Sequence, residues 1–104
     1  MPHIIVLLQS THHWASRTYL EYESIDDCMD ALCRIFEGFM RLKNLYVDNK
    51  NYLLELFNFL DTLEDISCVV MQGDSNMYTP HNKLWIKEQL FLRLDRLDCD
   101  GMGY

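Results

Sequence analysis

An α+β fold is predicted for this chain: a four-stranded antiparallel sheet with three helices on one face, in the order β-β-α-α-β-β-α, the other sheet face being used for homodimerisation. Three observations carry that expectation. Two strand-length segments, His3–Gln9 and Arg17–Tyr22, follow each other across a polar turn. Three segments repeat apolar residues at three- and four-residue steps, the period of one helix face. Two further strand-sized runs fall between the second and third of those helices. Such an order gathers the helices on one side of an antiparallel sheet. With 104 residues the chain amounts to one domain, residues 1–104, without internal repeat or linker.

The first strand is the apolar, β-branched run His3–Gln9, and Ser10–Ser16 is a polar turn containing two His and a Trp. Arg17–Tyr22 alternates as a second strand, antiparallel to the first. Ser24 opens the first helix: its hydroxyl can accept from a free amide of the first turn, where Asp26 and Asp27 also match the helix dipole. Ile25, Cys28, Met29, Leu32, Phe36, Phe39 and Met40 then form one apolar stripe. Gly38 interrupts it at about 1 kcal/mol relative to Ala.

Lys43–Asn51 is a polar link. The second helix carries Leu53, Leu56, Phe57 and Leu60 on one face, with Phe59 and Leu63 beside it. Asp65–Met71 is the third strand, Gly73-Asp74 a turn, and Asn76–Thr79 a short fourth strand that Pro80 should end. Asn82 caps the last helix, whose inward stripe is Ile86, Leu90, Leu94 and Leu97, with Trp85 and Leu92 toward another side. From about residue 98 an acidic tail with Gly101 and Gly103 is expected to fray.

The strands carry more apolar residues than one covered face requires. A sheet packed on one side should alternate apolar with polar residues. The first strand instead sets Ile4, Val6 and Leu8 against Ile5 and Leu7, and the third sets Ile66, Cys68 and Val70 against Ser67, Val69 and Met71. If Ile5, Leu7, Val69, Met71 and an aromatic such as Tyr19 lie on the uncovered side, several hundred Å² of apolar surface meets water, more than soluble monomers usually expose. Pairing of two copies about a two-fold axis is the common remedy. Ile5, Leu7, Val69 and Met71 are therefore the expected dimer interface.

Nine Lys and Arg against sixteen Asp and Glu leave a formal charge of −7. Affinity for nucleic acid comes largely from cations displacing phosphate counterions, so no direct nucleic-acid partner is expected; an anionic membrane surface is disfavoured for the same reason. No run approaches the roughly 20 apolar residues of a membrane span. Met1-Pro2-His3 has neither a basic region nor a cleavage site of a secretory signal, so an intracellular location, nucleus or cytoplasm, with reduced thiols is expected.

Cys28 and Cys33 are spaced unlike a zinc knuckle or redox motif; Cys28 and Cys68 read as core, and Cys99 lies in the tail. His3, His12, His13 and His81 form no metal-hydrolase pattern, and no nucleophile elbow, phosphate loop or dinucleotide fingerprint occurs. No metal, cofactor or catalytic residue is expected, and the chain is not read as an enzyme. Thr18 and Ser24 each precede a carboxylate by three residues, Glu21 and Asp27, the spacing read by acidophilic kinases. A phosphate on Ser24 would favour the helix start, whereas one on Thr18 would load a strand with charge.

His3–Gln9, Arg17–Ser24, Cys28-Met29, Leu56–Asp61, Ser67-Cys68 and Tyr78–Glu88 together resemble the enhancer of rudimentary homologue family nearly end to end. The resemblance implies a four-stranded sheet with three helices on one face and a homodimer through the other face, where Ile5 and Leu7 occupy family positions. It also implies a non-catalytic adaptor whose dimers hold short segments of RNA-processing proteins, in roles that include microRNA processing, selective mRNA elimination, splicing and nematode piRNA pathways. The turn Ser10–Ser16 departs from the family's Pro-Thr-Lys-Arg type, and the middle link lacks the usual Pro and Ser content. Asn51-Tyr52-Leu53-Leu54 replaces the family's Tyr-Asp-Ile-Ser helix entry, and the tail is acidic. These departures point to a diverged paralogue with its own partner.

The expected function is thus a homodimeric adaptor that scaffolds RNA-processing or small-RNA complexes. Its expected partners are itself and peptide segments bound through Trp14, Arg17, Tyr19, Tyr22 and Tyr78, chosen for exposure and aromatic content. The alternatives are a small enzyme or regulator linked to pyrimidine metabolism, which would need convergent polar residues in a closed pocket, and a single-stranded RNA binder, which would show strong salt dependence.

Overall fold

A computed structural model describes the backbone of residues 4–71, 73 and 77–102, and side chains within these as far as residue 96. The expected order is found: β1 Ile4–Gln9, β2 Arg17–Tyr22, α1 Ile25–Leu42, α2 Tyr52–Thr62, β3 Asp65–Met71, β4 Tyr78–His81 and α3 Lys83–Met102, with one 3-10 turn, Trp14–Ser16, before β2. The antiparallel sheet has the strand order β2-β1-β3-β4. Ile4 pairs with Tyr22 on one side and Val70 on the other, and Leu8 with Thr18 and Ile66.

That register sends Ile4, Val6, Ile66 and Cys68 into the helical layer, where all four are buried. They meet Cys28, Met29, Leu32 and Phe36 of α1, Leu56, Phe59 and Leu60 of α2, and Ile86 and Leu90 of α3. Each such aliphatic or aromatic side chain contributes roughly 1.5–3 kcal/mol on leaving water. Phe36 is the aromatic centre, edge-on to Tyr52 at 5.3 Å and tilted against Phe59 at 5.7 Å. Cys28 and Cys68 are core residues, as expected, and Cys33 joins them. The Cys28 thiol is driven far above its ordinary pKa by its hydrogen bond with Cys68 and by burial, so it stays protonated and inert.

The helix ends follow from local chemistry. Ser24 Oγ accepts from the Asp27 amide at 3.0 Å, and Asn82 Oδ1 from the Trp85 amide at 3.0 Å, so both expected caps form. At the other end of α1, Asn44 has φ +56°, a left-handed position asparagine tolerates. The Asn44 amide donates to the Arg41 carbonyl at 3.0 Å and the Leu45 amide to that of Met40 at 2.9 Å, the two bonds of a Schellman cap.

Three details differ from the sequence reading. Pro80 does not end β4 but lies within it, opposite Val69. The strand is at the sheet edge, where a residue without an amide proton is tolerated. In α2 it is Phe59, not Phe57, that enters the core, because Phe36 and Phe39 of α1 both pack on it, Phe39 at 4.9 Å. The backbone of α3 is helical to Met102, past Leu97, whose side chain lies outside the described residues, as does that of Cys99; Leu94 is half-buried. Gly73 has φ +50°, a turn conformation; His3, Asp74 and Asn76 lie outside the described residues.

Candidate interaction surfaces

The residues that alternate with the core set form the outer face of the sheet. Ile5 lies between Glu21 and Val69, Leu7 between Tyr19 and Ser67, Val69 beside Pro80, and Met71 beside Tyr78. The centre of this face is therefore apolar, Ile5, Leu7, Val69 and Met71, with aromatic rings at both edges. All four central residues keep partial exposure in the single chain, while the buried strand residues fall on the opposite side. Ser67 beside Leu7 and Glu21 beside Ile5 add polar groups along this face, and Gln9, Asp65 and Arg17 make one end of it polar.

That end carries a preformed aromatic corner. The 3-10 turn brings Trp14 back over β2, so that the Arg17 guanidinium lies 3.9 Å from its ring centre, while Arg17 Nε donates to Gln9 Oε1 at 2.9 Å. Trp14 is 74% exposed and Tyr19 71%. Tyr78 is at the far edge, three strand spacings or about 14 Å away. Tyr22 points the other way, into the helical layer, where burial raises its hydroxyl pKa. Trp14, Arg17 and Tyr19 are thus brought together, whereas Tyr22 and Tyr78 stand apart from them. Thr18 is exposed on β2, and the Ser24 hydroxyl is engaged as the helix cap.

A second surface was not legible in the sequence. Between the last two turns of α1, the end of α2 and the end of β1 lies an open groove of about 1000 Å³. Leu8, Ile35, Phe39, Leu42 and Leu63 supply its apolar walls, and Arg34 and Arg41 its charge. Leu42 is 87% exposed there. Phe39, counted in the α1 stripe, is only half-buried, because no part of the described chain closes the groove beyond it. The available signal was the excess of apolar residues on α1 over one stripe, with Ile35 and Leu42 outside it.

Among the described residues no group of three His, Cys, Asp or Glu is placed to hold a metal ion. His12 pairs with Glu64 at 3.0 Å, and His81 stacks on Trp85 at 4.0 Å, so these two rings have structural partners. No helix among the described residues is long and apolar enough to cross a membrane.

The sequence matches known proteins over nearly its whole length. The family model described as Enhancer of rudimentary matches residues 1–99. Protein enhancer of rudimentary from Drosophila virilis is 42% identical over 95 residues, 90% of this chain and 91% of the relative. The Enhancer of rudimentary homolog of Dictyostelium discoideum is 41% identical over 100 residues, 93% and 98% of the two chains. That of Caenorhabditis elegans is 35% identical over 92 residues, 88% and 89%.

Proposed function

The chain belongs to the enhancer of rudimentary family, and from that premise we propose that it is a non-catalytic homodimeric adaptor that holds short segments of RNA-processing proteins. The observation that carries this reading is the apolar outer face, Ile5, Leu7, Val69 and Met71, which the three helices leave uncovered. A second copy laid face to face removes that surface from water at about 25 cal/mol per Å². Trp14, Arg17, Tyr19 and Tyr78 stand at the rim of the face, where a partner segment would meet rigid aromatic anchors. Two copies of one modest site raise apparent affinity for a bivalent partner through effective concentration. The net charge of −7 favours contact with RNA through partners rather than directly.

Light scattering tests the dimer. The wild type is expected at twice 12.4 kDa at micromolar concentration, and the double variant Ile5→Arg, Leu7→Arg at 12.4 kDa with its circular dichroism retained. A wild type of 12.4 kDa sinks the proposal. Affinity purification with mass spectrometry tests the partners: metabolic enzymes recovered without RNA-processing proteins would count against the adaptor role.

A further inference from the structure

Of the nine cations of this acidic chain, four are ion-paired among the described residues; Arg17 lies on Trp14 and Gln9, Lys50 is in the link before α2, and the other three gather beside one groove. Lys83 and Lys87 pair with Asp61, Arg93 with Asp26 and Asp30, and Arg96 with Asp26. Arg34 and Arg41 have no carboxylate within ion-pair distance among the described residues, and both line the groove beside α1. Lys43 adds a third cation there, 5.1 Å from the ring centre of Phe39 in the groove wall. Two carboxylates lie nearby without pairing with these arginines: Glu37 accepts from the Tyr52 hydroxyl at 3.0 Å and shares a neighbouring cavity with both, and Glu64 pairs with His12 at 3.0 Å. A positive rim therefore borders an open apolar floor.

Gly38 leaves room for close approach to α1. It lies inside α1, where glycine lowers helix stability, and it lines the groove. A Cβ built there would meet only the Arg41 guanidinium, at 4.0 Å, so packing of this chain does not require a glycine. A chain lying close against α1 would.

We propose that this groove binds a short amphipathic peptide segment of a partner protein, its apolar side chains on Leu8, Phe39 and Leu63 and its flanking carboxylates on Arg34 and Arg41. The inference deepens the adaptor reading and rests on it for a peptide as occupant, but does not depend on the dimer. Apolar walls suit side chains rather than a hydrated phosphate backbone, and each arginine can take a flanking carboxylate in a two-pronged contact.

The test is selection of a random peptide library on the full chain, followed by fluorescence anisotropy of the enriched peptides. Enriched sequences are expected to combine helically spaced apolar residues with Asp or Glu. Their affinity should fall at least about tenfold in Arg34→Glu with Arg41→Glu, and also on raising salt. Gly38→Trp should abolish binding with the circular dichroism unchanged, and Gly38→Ala should raise the melting temperature while weakening binding. The Ile5→Arg, Leu7→Arg variant should bind as the wild type does. Enriched peptides without acidic residues, or equal affinity in the Arg34→Glu, Arg41→Glu and Gly38→Trp variants, would overturn the proposal. So would competition by a bare single-stranded RNA oligonucleotide, or an assembled mass of the Arg34→Glu, Arg41→Glu variant below that of the wild type, which would make a second copy the occupant. Peptide binding lost only in the sheet-face variant also overturns it, yet leaves the adaptor reading standing; a monomeric wild type that still selects acidic peptides does the reverse.

Discussion

Arg93 of α3 and Asp30 of α1 meet in a two-pronged contact, Nε to Oδ1 at 3.1 Å and Nη2 to Oδ2 at 3.0 Å. It is the best-formed polar tie between these helices, because both planar groups are oriented and partly shielded from water. Arg96 adds a single bond to Asp26 at 2.8 Å. Replacing Arg93 by Met keeps the stem and removes the fork, so a melting temperature lower by a few degrees is expected, with less dependence on salt than in the wild type. Thermal denaturation at low and high ionic strength checks this.

Ser24→Ala removes the only side-chain acceptor at the start of α1 among the described residues. A loss of about 1 kcal/mol is expected in urea denaturation, with an unchanged slope. Ser24→Asp should retain most of that stability, since its carboxylate can accept the same amide and matches the helix dipole.

Val69 and Val70 are neighbours in β3 with opposite tasks. Val70 faces Ile4 across the strand pair and packs on the core, whereas Val69 lies beside Ile5 on the outer face. Val70→Ser should lower stability by about 1–2 kcal/mol, the loss of buried apolar area plus an added hydroxyl. Val69→Ser should weaken self-association, read by sedimentation across a dilution series, and leave the unfolding transition nearly unchanged at dilutions where both proteins are monomeric.

Acid should remove a further increment. The Asp61 carboxyl is held below the usual carboxylate range, first by its hydrogen bonds from Lys87 at 2.8 and 3.0 Å and also by Lys83 at 3.5 Å. A carboxyl with a lower pKa folded than unfolded adds stability above the unfolded value, about 3.9, and loses it as pH falls through the folded value. The gap in melting temperature between wild type and Lys87→Met should therefore be open at neutral pH and close between about pH 5 and pH 2. A gap that persists in acid would show that Lys87 acts through its packing on Phe57 rather than through Asp61.

Much of the fold was legible because its signals are local. The Ser24 and Asn82 caps, the buried stripe from Cys28 to Phe36 and the alternation of Ile4 and Val6 with Ile5 and Leu7 each depend on residues within one or two turns. The outer face followed from strand parity alone. Pro80 misled because proline marks the end of a ladder only if the strand has neighbours on both sides, and edge position is a property of the whole sheet. Tyr22 was chosen for exposure by its composition, yet it lies one parity step from Glu21 and three from Tyr19, which turns it into the helical layer.

By itself the sequence determined the element order, the inward residues of β1 and β3, most of the α1 stripe and the surplus of apolar residues on the sheet, since periods of 2 and 3.6 fix where side chains point along a chain. Tertiary structure alone decided which of the remaining apolar residues find neighbours. The ends of α1, α2 and β1 diverge and leave Ile35, Phe39 and Leu42 along an open groove, with Arg34 and Arg41 at its rim. Periodicity gives a direction, but closure depends on what a distant segment brings to the same place.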